Sequence, residues 1–153
     1  MKLYRQRGEN CFHIAMACIL EIPPPELIKV LGHDGRKILW PKYKDTRRFC
    51  GFHPQEMIDA GKRLGRALTL IETSPRSIQD DDLPEYRVFQ DSRSEQARLL
   101  NWLQTRPAVL FISSDVDHAI GWDGFQAWDQ ATGRWERFEN LTPYAALVLC
   151  GKI

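Results

Sequence analysis

Few cysteines, no long apolar run and no excess of either charge distinguish this sequence of 153 residues. Four cysteines are too sparse for a disulfide scaffold. No apolar run approaches the roughly 20 residues that a membrane span needs, and the first ten residues hold no apolar signal core. With 21 basic and 20 acidic residues, the net charge of +1 creates no field that would attract nucleic acid or a membrane. We therefore expect a cytoplasmic protein with reduced thiols.

Apolar material is sufficient for one folded unit. Hydrophobic residues make up 43% of the chain and include five tryptophans, which argues against disorder. A chain of this length buries roughly 70% of the surface that its unfolded form exposes. The sequence predicts a single domain over residues 1–153 and leaves the oligomeric state open.

Apolar periodicity predicts helices mainly in the first half of the chain and strands in the second. Helices are predicted from residue 11, within 22–32 and over 54–64, and a Ser92–Glu95 capping box predicts another through Leu99, Leu100 and Leu103. Strands are predicted at 67–73, 107–113, 118–122, 125–129, 135–138 and 146–150. Helices followed by an antiparallel sheet indicate an α+β architecture.

The segment QRGENCF, residues 6–12, places a cysteine where a polar loop meets an apolar helix. Asn10 is a good N-cap residue, so Cys11 is predicted to be the first residue of the helix. Because the helix is apolar on nearly every side, we expect it to be central and buried. Cys11 is then either a small core residue or a thiolate favoured by the positive end of the helix dipole.

A second feature, HAIGWDGFQAWD, places a histidine beside an aspartate. Asp123-Gly124 between two apolar segments predicts a hairpin with a two-residue turn. In that register His118 lies directly opposite Asp129 on one face of the sheet. A carboxylate there fixes the imidazole tautomer and supports the imidazolium. Such a pair is often only a surface contact, but with Cys11 it predicts a nucleophile, a base and an orienting acid.

Further side chains complete the predicted site. Gln6, five residues before the cysteine, is a candidate donor to a developing oxyanion, together with the backbone N–H of Cys11. Asn10, Trp40 and Trp122 are predicted to contact the substrate.

Cys11-x-His13 and Cys50-x-x-His53 raise the alternative of a zinc site. Residues i and i+2 of a helix point roughly 200° apart, so the first pair is a poor ligand set. We therefore predict neither a metal nor another cofactor.

The segment 36–49 interleaves basic and aromatic residues, a composition found on nucleic-acid-binding surfaces. The acidic run at 80–85 balances its charge, so we expect a solvated loop or a lining of the substrate cleft, and no nucleic-acid partner. Cys18 and Cys150 are predicted to be core residues.

In order along the chain, Gln6, Cys11, His118 and Asp129 resemble the oxyanion-hole glutamine, nucleophile, base and orienting residue of the papain-like cysteine peptidases. The residues around Cys11 and His118 are most similar to small bacterial and phage members, including the peptidases of double-glycine leader peptides. The sequence differs from the leader peptidases at three positions: Phe12 follows the cysteine, Gln6 is one residue closer to it, and Gln130 replaces a proline. We expect the last difference to matter little.

The resemblance implies a papain-like fold in which a buried helix carrying the cysteine packs on a C-terminal sheet carrying the histidine and aspartate. It also implies a thiol hydrolase that cleaves a peptide, isopeptide or related amide bond through an acyl-enzyme. The expected partner is a peptide or protein substrate, and no membrane is involved. Two alternatives stay open: a binding or inhibitory module with the same fold, and an acyltransferase or deamidase with the same site.

Overall fold

A computed structural model describes residues 1–7, 10–36, 51–73, 95–112 and 118–153. Trp40, Cys50 and nearly all of the basic–aromatic segment lie outside these ranges. The helices are α1 Cys11–Leu20, α2 Pro24–Leu31, α3 Pro54–Arg63 and α4 Glu95–Leu103. The strands are β1 Arg66–Glu72, β2 Ala108–Ile112, β3 His118–Trp122, β4 Ala127–Asp129, β5 Arg134–Glu136 and β6 Pro143–Lys152.

The strands form one six-stranded sheet in the order β1-β6-β2-β3-β4-β5, and every neighbouring pair is antiparallel. The α+β architecture is thus confirmed. The last strand begins three residues earlier than predicted and lies between β1 and β2. Within the described ranges, no helix has the length and apolar character required to cross a bilayer.

Helix α1 is the central helix of one face of the sheet. Every residue from Ile14 to Leu20 is buried, as its apolar pattern predicts. It packs against β3 around Gly121, where a Cβ would stand at ordinary van der Waals distance from the helix, 3.6 Å from the Cβ of Cys18 and 3.8 Å from the carbonyl oxygen of Ala15. Phe12, the large residue after the cysteine, is also buried and packs edge-on against Phe111 of β2.

Alternating residues of β2, β3 and β6 face opposite sides of the sheet, as the pleat requires. Val109, Ala119 and Leu147 pack with α1, α2 and α3. On the other face, strand residues that include Ile120 and Trp122 pack with Leu99 and Leu103 of α4. The sheet therefore has an apolar core on both sides.

The hairpin between β3 and β4 has a longer loop than Asp123-Gly124 predicts. Residues 123–126 form the connection, because Asp123 makes local hydrogen bonds that hold four residues in the turn. Its Oδ1 accepts the N–H groups of Phe125 at 2.8 Å and Gln126 at 2.9 Å, and its own N–H donates to the Gln126 carbonyl at 3.1 Å. The prediction of a two-residue turn is wrong.

The longer loop changes the predicted register by two residues. Trp122 pairs with Ala127, so His118 and Asp129 are diagonal neighbours and do not lie directly opposite each other. A shift of one residue would have placed the two side chains on opposite faces, whereas a shift of two keeps them on the same face. The predicted contact between them is therefore compatible with the corrected register.

Candidate active site

Cys11 is the first residue of α1, as predicted, and Asn10 occupies the N-cap position. The Asn10 side chain, however, caps no helix N–H. Its Nδ2 donates instead to the backbone carbonyl of Asp34 at 2.8 Å. The first turn of α1 also has no acidic residue. The positive end of the helix dipole is thus not neutralised by a first-turn carboxylate, which favours a thiolate at Cys11.

The sulfur of Cys11 is half-buried and has two polar neighbours on β3. It accepts the backbone N–H of Ala119 at 3.3 Å, and the ring of His118 lies within hydrogen-bonding reach. Burial raises the pKa of the thiol, but the hydrogen bonds from His118 and Ala119 and the charge of His118 outweigh it. The net result is a Cys11 pKa below the ordinary value.

His118 connects the thiol to a carboxylate. Its Nε2 lies 3.1 Å from Oδ1 of Asp129, and its ring also makes a hydrogen bond with Cys11. The hydrogen bond to Cys11 raises the pKa of the imidazole, burial opposes this rise, and the hydrogen bond to Asp129 adds to it. The His118 pKa is therefore raised, so the ring holds a proton more readily than a free histidine.

Asp129 is held by the turn that follows β4. Its Oδ1 accepts the backbone N–H of Ala131 at 2.9 Å, with that of Thr132 at 3.4 Å. Burial raises the pKa of the carboxyl, but the hydrogen bonds to His118 and Ala131 and the His118 charge lower it by more. The pKa of Asp129 is therefore lowered, so its carboxyl stays ionised to a lower pH than usual. Asp129 is also the aspartate that the sequence predicts beside His118.

Gln130 has a larger part in this arrangement than the sequence predicts. Its side chain is 0% exposed, and its Nε2 donates to the carbonyl of Cys11 at 3.1 Å and to that of Ala119. Its backbone carbonyl accepts the N–H of Gln6 at 2.9 Å. Gln130 thus links the predicted oxyanion residue to the segments that carry the thiol and the imidazole, contacts that its replacement of a proline in the sequence did not predict.

Trp122 does not lie beside Cys11. It is 1% exposed, its Nε1 donates to the Leu103 carbonyl at 3.0 Å, and its ring packs edge-on against Phe138 at 5.9 Å between centroids. The structure therefore gives Trp122 a place in the core of the other sheet face and not on a substrate surface. Trp40 lies outside the described residues.

The other cysteines divide between core and surface. Cys18 is fully buried, which confirms the prediction. Cys150 is exposed, which corrects it. The pairing of β6 with β2 ends at Val148, whereas its pairing with β1 continues to Lys152. Cys150 therefore lies where β6 has a neighbouring strand on one side only.

Two further results bear on the nature of the site. Over the described ranges, no group of three or more His, Cys, Asp or Glu side chains is arranged to hold a metal ion. No family model matches the sequence, and no curated protein matches it either.

Proposed function

We propose that this protein is a thiol hydrolase with a papain-like arrangement, acting on a peptide or related amide bond. The observation that carries the proposal is a continuous chain of polar contacts from Asp129 through His118 to Cys11 at the start of a buried helix. A cysteine that only fills the core, such as Cys18, packs among apolar side chains and does not contact an imidazole that is bonded to a carboxylate. A nucleophilic thiolate requires both a base and a group that orients that base.

In the proposed reaction, the Cys11 thiolate attacks the substrate carbonyl carbon, and the C=O electron pair moves onto oxygen. As the first residue of α1, Cys11 has a backbone N–H with no acceptor inside the helix, so this group can donate to the oxyanion. The side-chain amide of Gln6 is the proposed second donor.

His118 then completes the proton transfers. Its imidazolium gives a proton to the leaving nitrogen as the C–N bond breaks, which releases an amine and leaves an acyl group on Cys11. The neutral ring next takes a proton from water, and the resulting hydroxide attacks the thioester. The acid leaves, the thiolate is restored, and Asp129 keeps the ring oriented throughout.

Two measurements test the proposal. A library of amine-blocked peptides is incubated with the native protein and with Cys11→Ser, and newly formed amino termini are identified by mass spectrometry. In parallel, iodoacetamide labelling at mildly acidic pH compares Cys11 with the exposed Cys150 of the same molecules. We expect cleavage that depends on Cys11 and labelling of Cys11 ahead of Cys150, because its lowered pKa supplies thiolate.

The opposite result would be no cleavage in any peptide together with labelling of Cys11 no faster than that of Cys150. That combination would overturn the hydrolase assignment. It would favour the alternative that this fold serves as a binding module.

A further inference from the structure

Gln130 is a fully buried polar side chain in an exposed turn. The two residues that follow it, Ala131 and Thr132, are both exposed, whereas Gln130 itself is 0% exposed. Burial of an amide costs free energy unless hydrogen bonds compensate for the water that is lost. The contacts of Gln130 therefore show what its burial achieves.

Both protons of its side-chain NH2 group are used. They are donated to the carbonyls of Cys11, at 3.1 Å, and of Ala119. Since both neighbours are carbonyl oxygens, only the NH2 end of the amide can face them, and the orientation of the group is fixed. Its buried Oε1 has no hydrogen-bond partner among the described residues. The amide therefore acts as a double donor between two backbone segments.

These two segments carry the two reacting groups of the proposed site. Cys11 supplies the sulfur, and Ala119 directly follows His118 and donates its own N–H to that sulfur at 3.3 Å. A bridge between the carbonyls of Cys11 and Ala119 therefore sets how closely the start of α1 approaches the start of β3. The same residue also holds the Gln6 backbone at 2.9 Å.

Strand alternation explains why residue 130 can reach this position. Successive side chains at the end of β4 point to opposite faces. Asp129, the last residue of β4, is directed to His118, and Gln130, the next residue, is directed to the carbonyl of Cys11 at the start of α1. Two consecutive residues thus orient the imidazole and anchor the helix that carries the nucleophile.

We propose that Gln130 is a positioning residue that sets the distance and orientation between the Cys11 sulfur and the His118 ring. The inference rests on the proposed function, because it concerns the geometry of that same site. It assigns to Gln130 no contact with the substrate.

The test is Gln130→Met, which keeps the length of the side chain, changes no charge and removes both donors. The readout is the pH profile of Cys11 alkylation by iodoacetamide. Among the described residues, His118 is the titratable group that acts on the sulfur, Asp129 acts through that ring, and Arg5 lies against Gly133 at the far end of the turn. A shift in the profile therefore reports a changed geometry and not a changed charge.

A matched control is Thr73→Val. It also removes a buried side-chain donor to a backbone carbonyl, the 2.8 Å bond from Thr73 Oγ1 to Tyr144, but just beyond β1, three positions from β3 in the sheet. We expect both variants to lower the melting temperature. In Gln130→Met the apparent pKa of Cys11 rises by about one unit, which slows alkylation about tenfold below that pKa. In Thr73→Val the profile stays at that of the native protein.

Each other outcome is decisive. A native profile in Gln130→Met, or an equal shift in both variants, overturns the positioning role and leaves the proposed function standing. If native Cys11 reacts no faster than Cys150 at every pH and no peptide is cleaved, the proposed function fails and the positioning role fails with it.

A measurement on the native protein covers the case in which Gln130→Met does not fold. The Nε2 protons of Gln130 are expected to exchange slowly with solvent, and their NMR shifts to follow the titration of Cys11 and His118. Rapid exchange, or shifts that ignore that titration, would overturn the inference.

Discussion

Cys11 and Cys18 lie two turns apart on the same helix, and the sulfur of each accepts one backbone N–H. The sulfur of Cys11 accepts the N–H of Ala119, and that of Cys18 accepts the N–H of Tyr4, each at 3.3 Å. Their pKa values nevertheless move in opposite directions. Burial raises the pKa of Cys18, and the Tyr4 hydrogen bond and the N-terminal charge do not cancel the rise.

The difference between the two thiols comes from their other neighbours. Cys18 is fully buried among apolar side chains that include Ile14 and Trp128. Cys11 is at the positive end of the helix and faces the imidazole of His118. A single backbone N–H is therefore insufficient to lower the pKa of a buried thiol, and the His118 ring is the neighbour that distinguishes Cys11 from Cys18.

The largest expected effect comes from removing that histidine. In His118→Ala we expect peptide cleavage to fall about 10²- to 10⁴-fold, because the general base and acid is lost. Alkylation of Cys11 should slow as its pKa rises, while Cys18 stays unlabelled in the folded protein. Peptide mapping after brief labelling checks this. Labelling of Cys18 in the variant would mean that the core had opened. Unchanged labelling of Cys11 would show that His118 does not account for the difference between the two thiols.

Asp129→Asn is expected to have a smaller effect. The carboxylate raises the pKa of His118, so its loss should lower that pKa. Cleavage should fall at least about tenfold at a pH where the native ring is still protonated. NMR titration of the His118 ring protons in the native protein and in the variant measures the shift. A His118 pKa that stays at the native value would show that the ring does not depend on Asp129.

The stability of the site should depend on pH in a defined direction. The folded pKa of Asp129 is lowered from 3.8, so its contribution is present above that value and lost as the pH falls through the folded pKa. The native protein should exceed Asp129→Asn in unfolding free energy by on the order of 1 kcal/mol at neutral pH. This difference should shrink in acid. Urea titrations of both proteins across the acidic range measure it, and a constant difference would contradict the assignment.

The smallest effect is expected at the other thiol. Cys18→Ala should lower the unfolding free energy by about 1 kcal/mol, because it removes a buried sulfur and leaves a small cavity. It should leave the alkylation rate of Cys11 at the native value. Thermal unfolding and labelling of the same sample provide both numbers. Slower alkylation of Cys11 in this variant would show that the reactivity of Cys11 depends on Cys18 at the other end of α1.

Local patterns are sufficient to predict the described helices and strands approximately, to place Cys11 at the start of α1 and to bring His118 near Asp129. Apolar periodicity marks α1, and a loop-to-helix transition marks its first residue. The register of the hairpin was not predictable from a dipeptide, because the side chain of Asp123 holds two N–H groups and lengthens the turn. His118 and Asp129 still make contact, as diagonal neighbours, because a register change of two residues keeps both side chains on the same face of the sheet.

Two features that the sequence did not predict, the contacts of Gln130 and the exposure of Cys150, depend on residues far apart in the chain. The side chain of Gln130 donates to the carbonyls of Ala119 and Cys11. These two residues precede it in the sequence by 11 and 119 positions, respectively. The exposure of Cys150 depends on where one strand ends relative to its neighbours. Neither relation leaves a periodic signal in the chain.

The bond from the Ala119 N–H to the Cys11 sulfur has a consequence for mutational robustness. Its donor belongs to the main chain, so no change of the side chain at position 119, other than to proline, can delete it. A descendant of this protein that lost its histidine would still keep a polarised sulfur at a helix terminus. Such a change would remove the group that lowers the Cys11 pKa but would not remove the hydrogen bond that holds the sulfur in place. The position of the Cys11 sulfur and its ionisation therefore depend on different parts of β3, the main chain at residue 119 and the side chain of His118.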